Sequence, residues 1–292
     1  MEMVKNEMIP SPAASGRFLG LSLSLVLFLA SCGPRLDWKP VPMDGHRSGV
    51  KPITSENVET GLGVFTDSTI VLPSGAVYAK NSDVAKVASI LMEVQPQMAP
   101  LKVVIGHSAR MMMNDRDKAD LPLGNLVADV LRDYGSKYFK VPMDFAVVNF
   151  GGIRVPMPEG AVTLEDISSM FPFKNYLVWC KVRGDKLTEL LEQLSGTAAF
   201  MATSGAEVRV KAHKLESALV GGEPIEPSKL YNVATLDFLL DGGDKMRIGA
   251  LSEKVTLSRV LIKDVMLSYV ETTEAAGGII DSAADGRVIM ED

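Results

Sequence analysis

The sequence predicts an α+β fold, a mixed sheet covered by helices. Three observations carry this. Short apolar, partly β-branched runs recur, among them Phe145–Val148, Tyr176–Arg183 and Tyr231–Thr235, and these read as buried strands. Stretches with helical periodicity alternate with them. A Gly221-Gly222 pair marks a hairpin-like turn late in the chain. Helices alternating with strands, with a late hairpin, read as a mixed α/β sandwich. The chain has 292 residues, room for one large or two small domains, and is 47% hydrophobic, ample for a core. Its formal net charge of −6 argues against a nucleic-acid partner, which would want a basic face.

Residues 1–31 read as a targeting segment and lie outside the fold. Lys5 and Arg17 give a mildly basic start, diluted by Glu2 and Glu7, and either Met1 or Met8 fits as the initiator. The apolar run Phe18–Ala30 is short for a membrane span. Leu29-Ala30-Ser31-Cys32 resembles a bacterial lipobox; the other reading is an ordinary signal peptide with an incidental cysteine. The lipobox implies cleavage before Cys32 and acylation there. Acyl chains anchor a protein at ~0.8 kcal/mol per buried CH₂. Gly33, rather than Asp, follows Cys32, so the expected location is the cell envelope, on the outer membrane facing the periplasm. Residues 32–63, with Pro34, Pro40, Pro42 and Pro52, read as a tether. His46 within it reads as a solvated side chain. The other cysteine, Cys180, lies in an apolar run and is expected to pack as a small buried hydrophobe.

A domain is expected over residues 64–292. Thr69–Leu72 fits a strand. Asn81–Val94 fits a helix capped by Ser82 or Asp83, with Val84, Val87, Ala88, Leu91 and Val94 on one face. Leu101–Ile105 reads as a strand ended by Gly106-His107-Ser108, with His107 structural. Met111-Met112-Met113 reads as core filling or as a flexible binding surface. A polar loop, Asn114–Asp120, precedes an amphipathic helix carrying Leu123, Leu126, Val127, Val130, Leu131 and Tyr134. Asp185 is expected to cap a helix over Lys186–Leu194, and His213 to lie at the surface after the strand Ala206–Val210. A final helix is expected over Leu257–Val270.

The chemistry concentrates after Phe145–Val148. That strand stops at Asn149 and meets Gly151-Gly152 and Arg154. Glycine tolerates positive φ and close ligand approach, and a glycine pair can present successive N–H groups to an anion. Arg154 offers a planar fork suited to phosphate or carboxylate. A tight turn with a surface arginine is the plainer reading. Thr163, with Asp166 three residues on, predicts a helix start. Pro172 forces that helix to end by Phe171. Phe173 then reads as core or as a ring held at a pocket rim.

The pattern Asn149-Phe150-Gly151-Gly152-Ile153-Arg154, then Phe171-Pro172-Phe173-Lys174-Asn175, then Tyr231–Phe238 with Gly242-Gly243-Asp244, resembles the C-terminal, substrate-binding domain of the 5′-nucleotidases. That family includes bacterial UDP-sugar hydrolases and animal ecto-5′-nucleotidase. The resemblance runs from about Leu121 to the C-terminus. It implies that Phe173 and Phe238 sandwich a nucleobase and that Asn175 bonds near the base edge. It further implies that Asp244 accepts bonds from ribose hydroxyls, with Asn149, Gly151, Gly152 and Arg154 on the phosphate side. Leu123-Gly124-Asn125-Leu126 resembles the family's first helix. Members often place an arginine three residues before an acidic residue, itself four before that glycine. Here these positions hold Asp117 and Asp120, so Arg116 carries over only through a one-residue loop shift. Lys245 departs from the family, which usually has glycine there.

Family members also carry an N-terminal metallophosphatase domain, whose two metal ions generate a hydroxide nucleophile. The three histidines here, His46, His107 and His213, are far apart and none sits in a D-x-H or G-N-H-[DE] setting. No catalytic residue, metal site or cofactor is therefore expected in this chain. Divalent metals would belong to a separate metallophosphatase partner. The expected role is nucleotide binding for a hydrolase system in nucleotide catabolism, with membrane contact through the lipid anchor only. The alternative is a stand-alone nucleotide- or nucleoside-binding lipoprotein, and an independent hydrolase is the third reading. A neighbouring gene for the phosphatase half would favour the first over the second. The lipobox makes its own prediction. Cys32→Ala should move the protein from the membrane to the soluble fraction, and wild type should show an acylated N-terminal peptide by mass spectrometry. A variant that stays on the membrane would reject the anchor.

Overall fold

Local chemistry sets most of the element boundaries. The computed structural model describes residues 53–115 and 119–291. The first part holds helix α1 (Val58–Gly61), strands β1 (Val64–Phe65), β2 (Thr69–Val71) and β3 (Val77–Ala79), helix α2 (Asp83–Val94) and strand β4 (Val104–Ser108). Helix α3 (Pro122–Phe139), strands β5 (Phe145–Val148) and β6 (Gly160–Thr163), helix α4 (Leu164–Met170), strand β7 (Tyr176–Arg183) and helix α5 (Gly184–Ser195) follow. Then come strands β8 (Ala202–Ser204), β9 (Ala206–Lys211), β10 (Lys214–Val220), β11 (Glu223–Pro224), β12 (Leu230–Leu236) and β13 (Ser252–Leu261). Helix α6 (Ile262–Ala275) and strand β14 (Val288–Glu291) close the chain. Cys32 and the predicted signal segment lie outside the described residues, as does His46. The folded unit begins at Ile53, inside the stretch read as a tether, and Val58 of α1 is buried.

The fold is mixed α+β. Its main sheet has the order β13-β7-β12-β5-β8. Only the β12–β5 pair is parallel; the others run antiparallel. Helix α3 packs on this sheet, with Gly135 close to Leu177 and Ala234 and the Phe139 ring 5.6 Å from that of Trp179. The alternate side chains of β7, Val178, Cys180 and Val182, are also fully buried, as the period-2 pleat requires of a strand covered on both faces. Helix α5 contacts β7 and β12 and contributes buried Leu187, Leu190, Leu191 and Leu194. Burial pushes the Cys180 thiol up to about 11, which leaves it inert. A second sheet, β11-β10-β9-β14, includes the Gly221-Gly222 hairpin, whose residues have φ of +63° and +82°. Strands β1–β3 form a small sheet of their own, and Ile70 packs there with Ala85 and Ala88 of α2.

Several expectations need correction. Residues Leu257–Leu261 belong to β13, with the helix starting at Ile262. The run is apolar at both strand and helix spacing, and pairing with β7 decides it. The strand expected at Leu101–Ile105 sits at Val104–Ser108, after a 3₁₀ turn over Gln95–Lys102. Ser82 caps α2, but the buried face is Ala85 and Ala88; Val87 and Ile90 are exposed. Asp185 is not the cap of α5. Arg183 occupies that position, and the Asp185 carboxylate accepts bonds from the Arg183 guanidinium and the Lys186 N–H. Met112 is core, whereas Met111 and Met113 are exposed. The capping box at Thr163 and Asp166 forms as expected.

The C-terminal strand is locked by Arg287. Its guanidinium donates to Asp129 Oδ1 at 2.8 Å, Asp285 Oδ2 at 2.6 Å and the Thr203 carbonyl at 3.0 Å. It thus ties α3, β8 and β14 together. The Arg287 bond holds the Asp285 carboxyl below the usual carboxylate range. A depressed carboxylate pKa stabilises the fold above the ordinary carboxylate pKa, and the contribution disappears as pH falls through the depressed value. Arg287→Leu should therefore cost about 1–2 kcal/mol near neutral pH, measured by urea denaturation. The variant should also lose less stability than wild type on acidification.

Candidate functional site

The sheet topology gathers the motif residues at one end. Strands β5 and β12 are parallel, so Val148 and Leu236 end on the same side. Strand β7 runs antiparallel to β12 with Leu236 opposite Leu177, so the loop before β7 arrives at that side too. Asn149, the Phe171–Asn175 loop and the Asp237–Lys245 loop therefore converge. Asp237 fastens the last two: its Oδ1 accepts the N–H of Tyr176 at 2.9 Å and of Phe238 at 3.0 Å.

Asn149 is buried, and its Nδ2 donates to Asp244 Oδ2 at 2.6 Å. This bond joins the first and last motifs. The Asn149 Oδ1 is buried without a partner among the described residues. Phe150–Gly152 forms a 3₁₀ turn. The glycines there do not supply positive φ, contrary to expectation. What they supply is room, since a Cβ on Gly152 would sit 3.0 Å from Asn149 Oδ1 and one on Gly151 3.5 Å from Asp244 Oδ2. Nor is the turn an open row of donors. The N–H groups of Gly152, Ile153 and Arg154 bond to the carbonyls of Asn149, Phe150 and Met170. Asn114, read from sequence only as part of a polar loop, braces the turn by donating to the carbonyls of Phe150 (3.0 Å) and Ile153 (2.6 Å).

Phe173 is 48% exposed and Phe238 44% exposed. Both rings stand outside the core of a domain with ample apolar material. The Arg154 guanidinium lies 5.8 Å from the Phe173 ring centre and its Nη1 donates to the Gly151 carbonyl at 3.3 Å. Asn175 borders a small cavity with Asn149, Gly152, Phe171 and Phe173, and its carbonyl accepts the Ile262 N–H. Phe238 is held by Gly243, where a Cβ would lie 2.0 Å from the Phe238 carbonyl oxygen. The next residues, Asp244 and Lys245, have φ of +46° and +66°. Arg116 lies outside the described residues. A roomier groove of about 890 Å³ between α3 and α6, bordered by Tyr134, Tyr138 and Tyr269, touches none of these residues. The sequence motifs mark the sheet end, not this groove, as the candidate site.

His107 Nδ1 lies 3.1 Å from the Glu274 carboxylate, and His213 is exposed at the β9–β10 turn with φ of +59°. Among the described residues no three His, Cys, Asp or Glu side chains gather as a metal-holding group, and no helix is long and apolar enough to cross a membrane.

The fold and this motif-bearing sheet end define the class: an α+β domain whose motif loops gather beyond the ends of β5 and β12. Residues 104–251 match the family described as 5′-nucleotidase, C-terminal domain. That is half of the chain, which belongs to this family. Over 150 residues it is 30% identical to Protein UshA of Escherichia coli (strain K12), a match covering 50% of this chain and 27% of that protein. It is 27% identical over 195 residues to Endonuclease YhcR of Bacillus subtilis (strain 168), covering 62% of this chain and 15% of that one. Among solved structures, a 5′-nucleotidase precursor from Thermus thermophilus shares the fold with a TM-score of 0.62 at 21% identity, covering 71% of this chain and 43% of its own. The chain thus spans only about a quarter of the first curated relative and under half of this structural one.

The geometry makes a direct prediction. Gly243→Ala should drive the Phe238 backbone away and destabilise the domain by about 1–3 kcal/mol in urea denaturation. Ser258→Ala, in the bulged part of the edge strand β13, removes only a hydroxyl bonded locally to Val260 and should cost less, about 0.5–1 kcal/mol.

Proposed function

We propose that the sheet end binds a nucleotide or nucleoside. The chain would serve as the substrate-binding half of a nucleotide-hydrolysing system in nucleotide catabolism, with a separately encoded metallophosphatase chain supplying the chemistry. One observation carries the reading. Two half-exposed phenylalanines stand on loops at the same sheet end as a buried asparagine bonded to a carboxylate. Exposed rings offer π-faces to any base, at about 1–3 kcal/mol per stacked base. Asp244 uses Oδ2 for Asn149, so Oδ1 is left to accept from ribose hydroxyls. Arg154 is the fork for the phosphate. Several further relatives are called 5′-nucleotidase, which supports the substrate class. A lipid on Cys32 would hold this system at the outer membrane, facing the periplasm. Divalent metals would sit in the partner chain.

Calorimetry on the full-length chain in detergent tests the binding half. Phe173→Ala and Phe238→Ala should each weaken AMP by about 1–3 kcal/mol, with little discrimination among bases. Asp244→Ala should weaken ribonucleotides more than deoxyribonucleotides. Wild-type affinity in both phenylalanine variants would return the rings to the bare surface.

Phosphate release tests the division of labour. The purified chain alone should release none from AMP with Mn²⁺, Co²⁺, Zn²⁺ or Mg²⁺. Adding the metallophosphatase chain should produce release, and Arg154→Ala should reduce it without unfolding the domain. Activity of this chain alone would defeat the proposal. Equal partner activity with and without it would leave a stand-alone binding protein.

A further inference from the structure

We infer that Lys245 sets the charge selectivity of the sheet-end site and favours nucleoside phosphates over neutral nucleosides; this rests on the nucleotide-binding reading above. The turn after Phe238 has φ of +100° at Gly242, +46° at Asp244 and +66° at Lys245. It is closed by the Lys245 N–H to the Gly242 carbonyl (3.1 Å) and the Gly242 N–H to the Met246 carbonyl (2.7 Å). Buried Met246 anchors it below. Glycine fits positive φ freely, and Asp or Asn adopts it more readily than other residues. Asp244 is such a residue, and its carboxylate is engaged in the bond to Asn149.

Lys245 has neither justification. It is exposed, and among the described residues its ammonium has no partner. A residue held in a sparsely populated conformation at a ligand turn points to a role there. The chemistry supplies that role. Asp244 is a carboxylate at the centre of the site and would repel an anionic ligand. An ammonium on the next residue would offset that charge. Arg154 provides the second cation. It bonds to the carbonyl of Gly151, the residue whose Cβ position lies 3.5 Å from Asp244 Oδ2. With Lys174 beside Phe173, the motif loops carry three cations together with Asp237, Asp241 and Asp244, in a chain of net charge −6. Phosphate is the group these cations suit; a neutral nucleoside gains nothing from them.

Two substitutions separate charge from strain. Lys245→Gln keeps a side chain at positive φ and removes the charge. Lys245→Gly removes both. Titration calorimetry with AMP and with adenosine, on the full-length chain in detergent, is the readout. The preference for AMP over adenosine should fall about two- to fivefold in both variants, with adenosine affinity unchanged. The wild-type preference should also weaken as salt rises. Lys245→Gly should melt above wild type, and Lys245→Gln should not. An unchanged preference in Lys245→Gln, or an equal loss for both ligands, would overturn the inference while leaving nucleotide binding intact. A wild-type chain that binds neither ligand would overturn the binding reading and this inference with it.

Discussion

Parallel pairing of β5 with β12 is the constraint on which the site depends. The register sets Val233 opposite Phe145 and Ala234 opposite Ala146. It is clamped at its start by Asp144, whose N–H donates to the Asn232 carbonyl while its Oδ2 accepts the Asn232 N–H at 2.7 Å. The buried Thr235 hydroxyl adds a bond to the Val147 carbonyl at 3.0 Å. Parallel strands end on the same side, and ligands of sheet proteins gather beyond the carboxyl ends of such strands. Asn149 and Asp244 are 95 residues apart in sequence, yet this register places them in one hydrogen bond. An antiparallel pairing would have sent them to opposite ends.

Around that bond, side chains and glycines settle what strands alone would leave loose. Asn114 braces the Phe150–Ile153 turn, and Asp237 fastens two loops through two backbone N–H groups. Gly243 lets one turn lie against the Phe238 backbone. Held loops lose less freedom when a ligand arrives, so more of the contact energy appears as affinity. The two phenylalanines remain half exposed within this braced frame. Their frame is ordered while their faces stay open to solvent.

The elements most legible in the sequence were those whose signal is local. Tyr176–Arg183 is a compact apolar run stopped by Asn175 before it and Gly184-Asp185 after it, and Thr163 with Asp166 makes a capping box that needs only its own neighbours. The Gly221-Gly222 hairpin is equally local. Leu257–Leu261 failed because an apolar run on an edge strand shows no decisive period, and its partner β7 lies far away in sequence. Helix α2 formed where expected, capped by Ser82, but its buried face was misjudged. Its valines have helical spacing, but the small sheet beside it has room only for Ala85 and Ala88, and a sequence cannot state the size of a neighbour. In the site, the motif residues were visible as residue types. The Asn149–Asp244 bond, the Asn114 brace and the true use of Gly151 and Gly152 were not, because each depends on a contact set by the fold.

The Arg287 ties and the motif loops use different residues of the domain. Arg287 binds Asp129, Asp285 and the Thr203 carbonyl, none of which belongs to the motif loops. The core under the main sheet is closed by α3 and α5, and it needs neither Phe173 nor Phe238. Lys245 is exposed and the rings of Phe173 and Phe238 are half exposed, so none of the three is needed to close that core. Asn149 and Gly243 are different. Each is enclosed by the fold while also defining the site, so a change there alters both properties together. The character of this surface therefore lies in a few loop residues, on a scaffold that holds its shape without them. Lys245 can be substituted without touching the sheet that presents it.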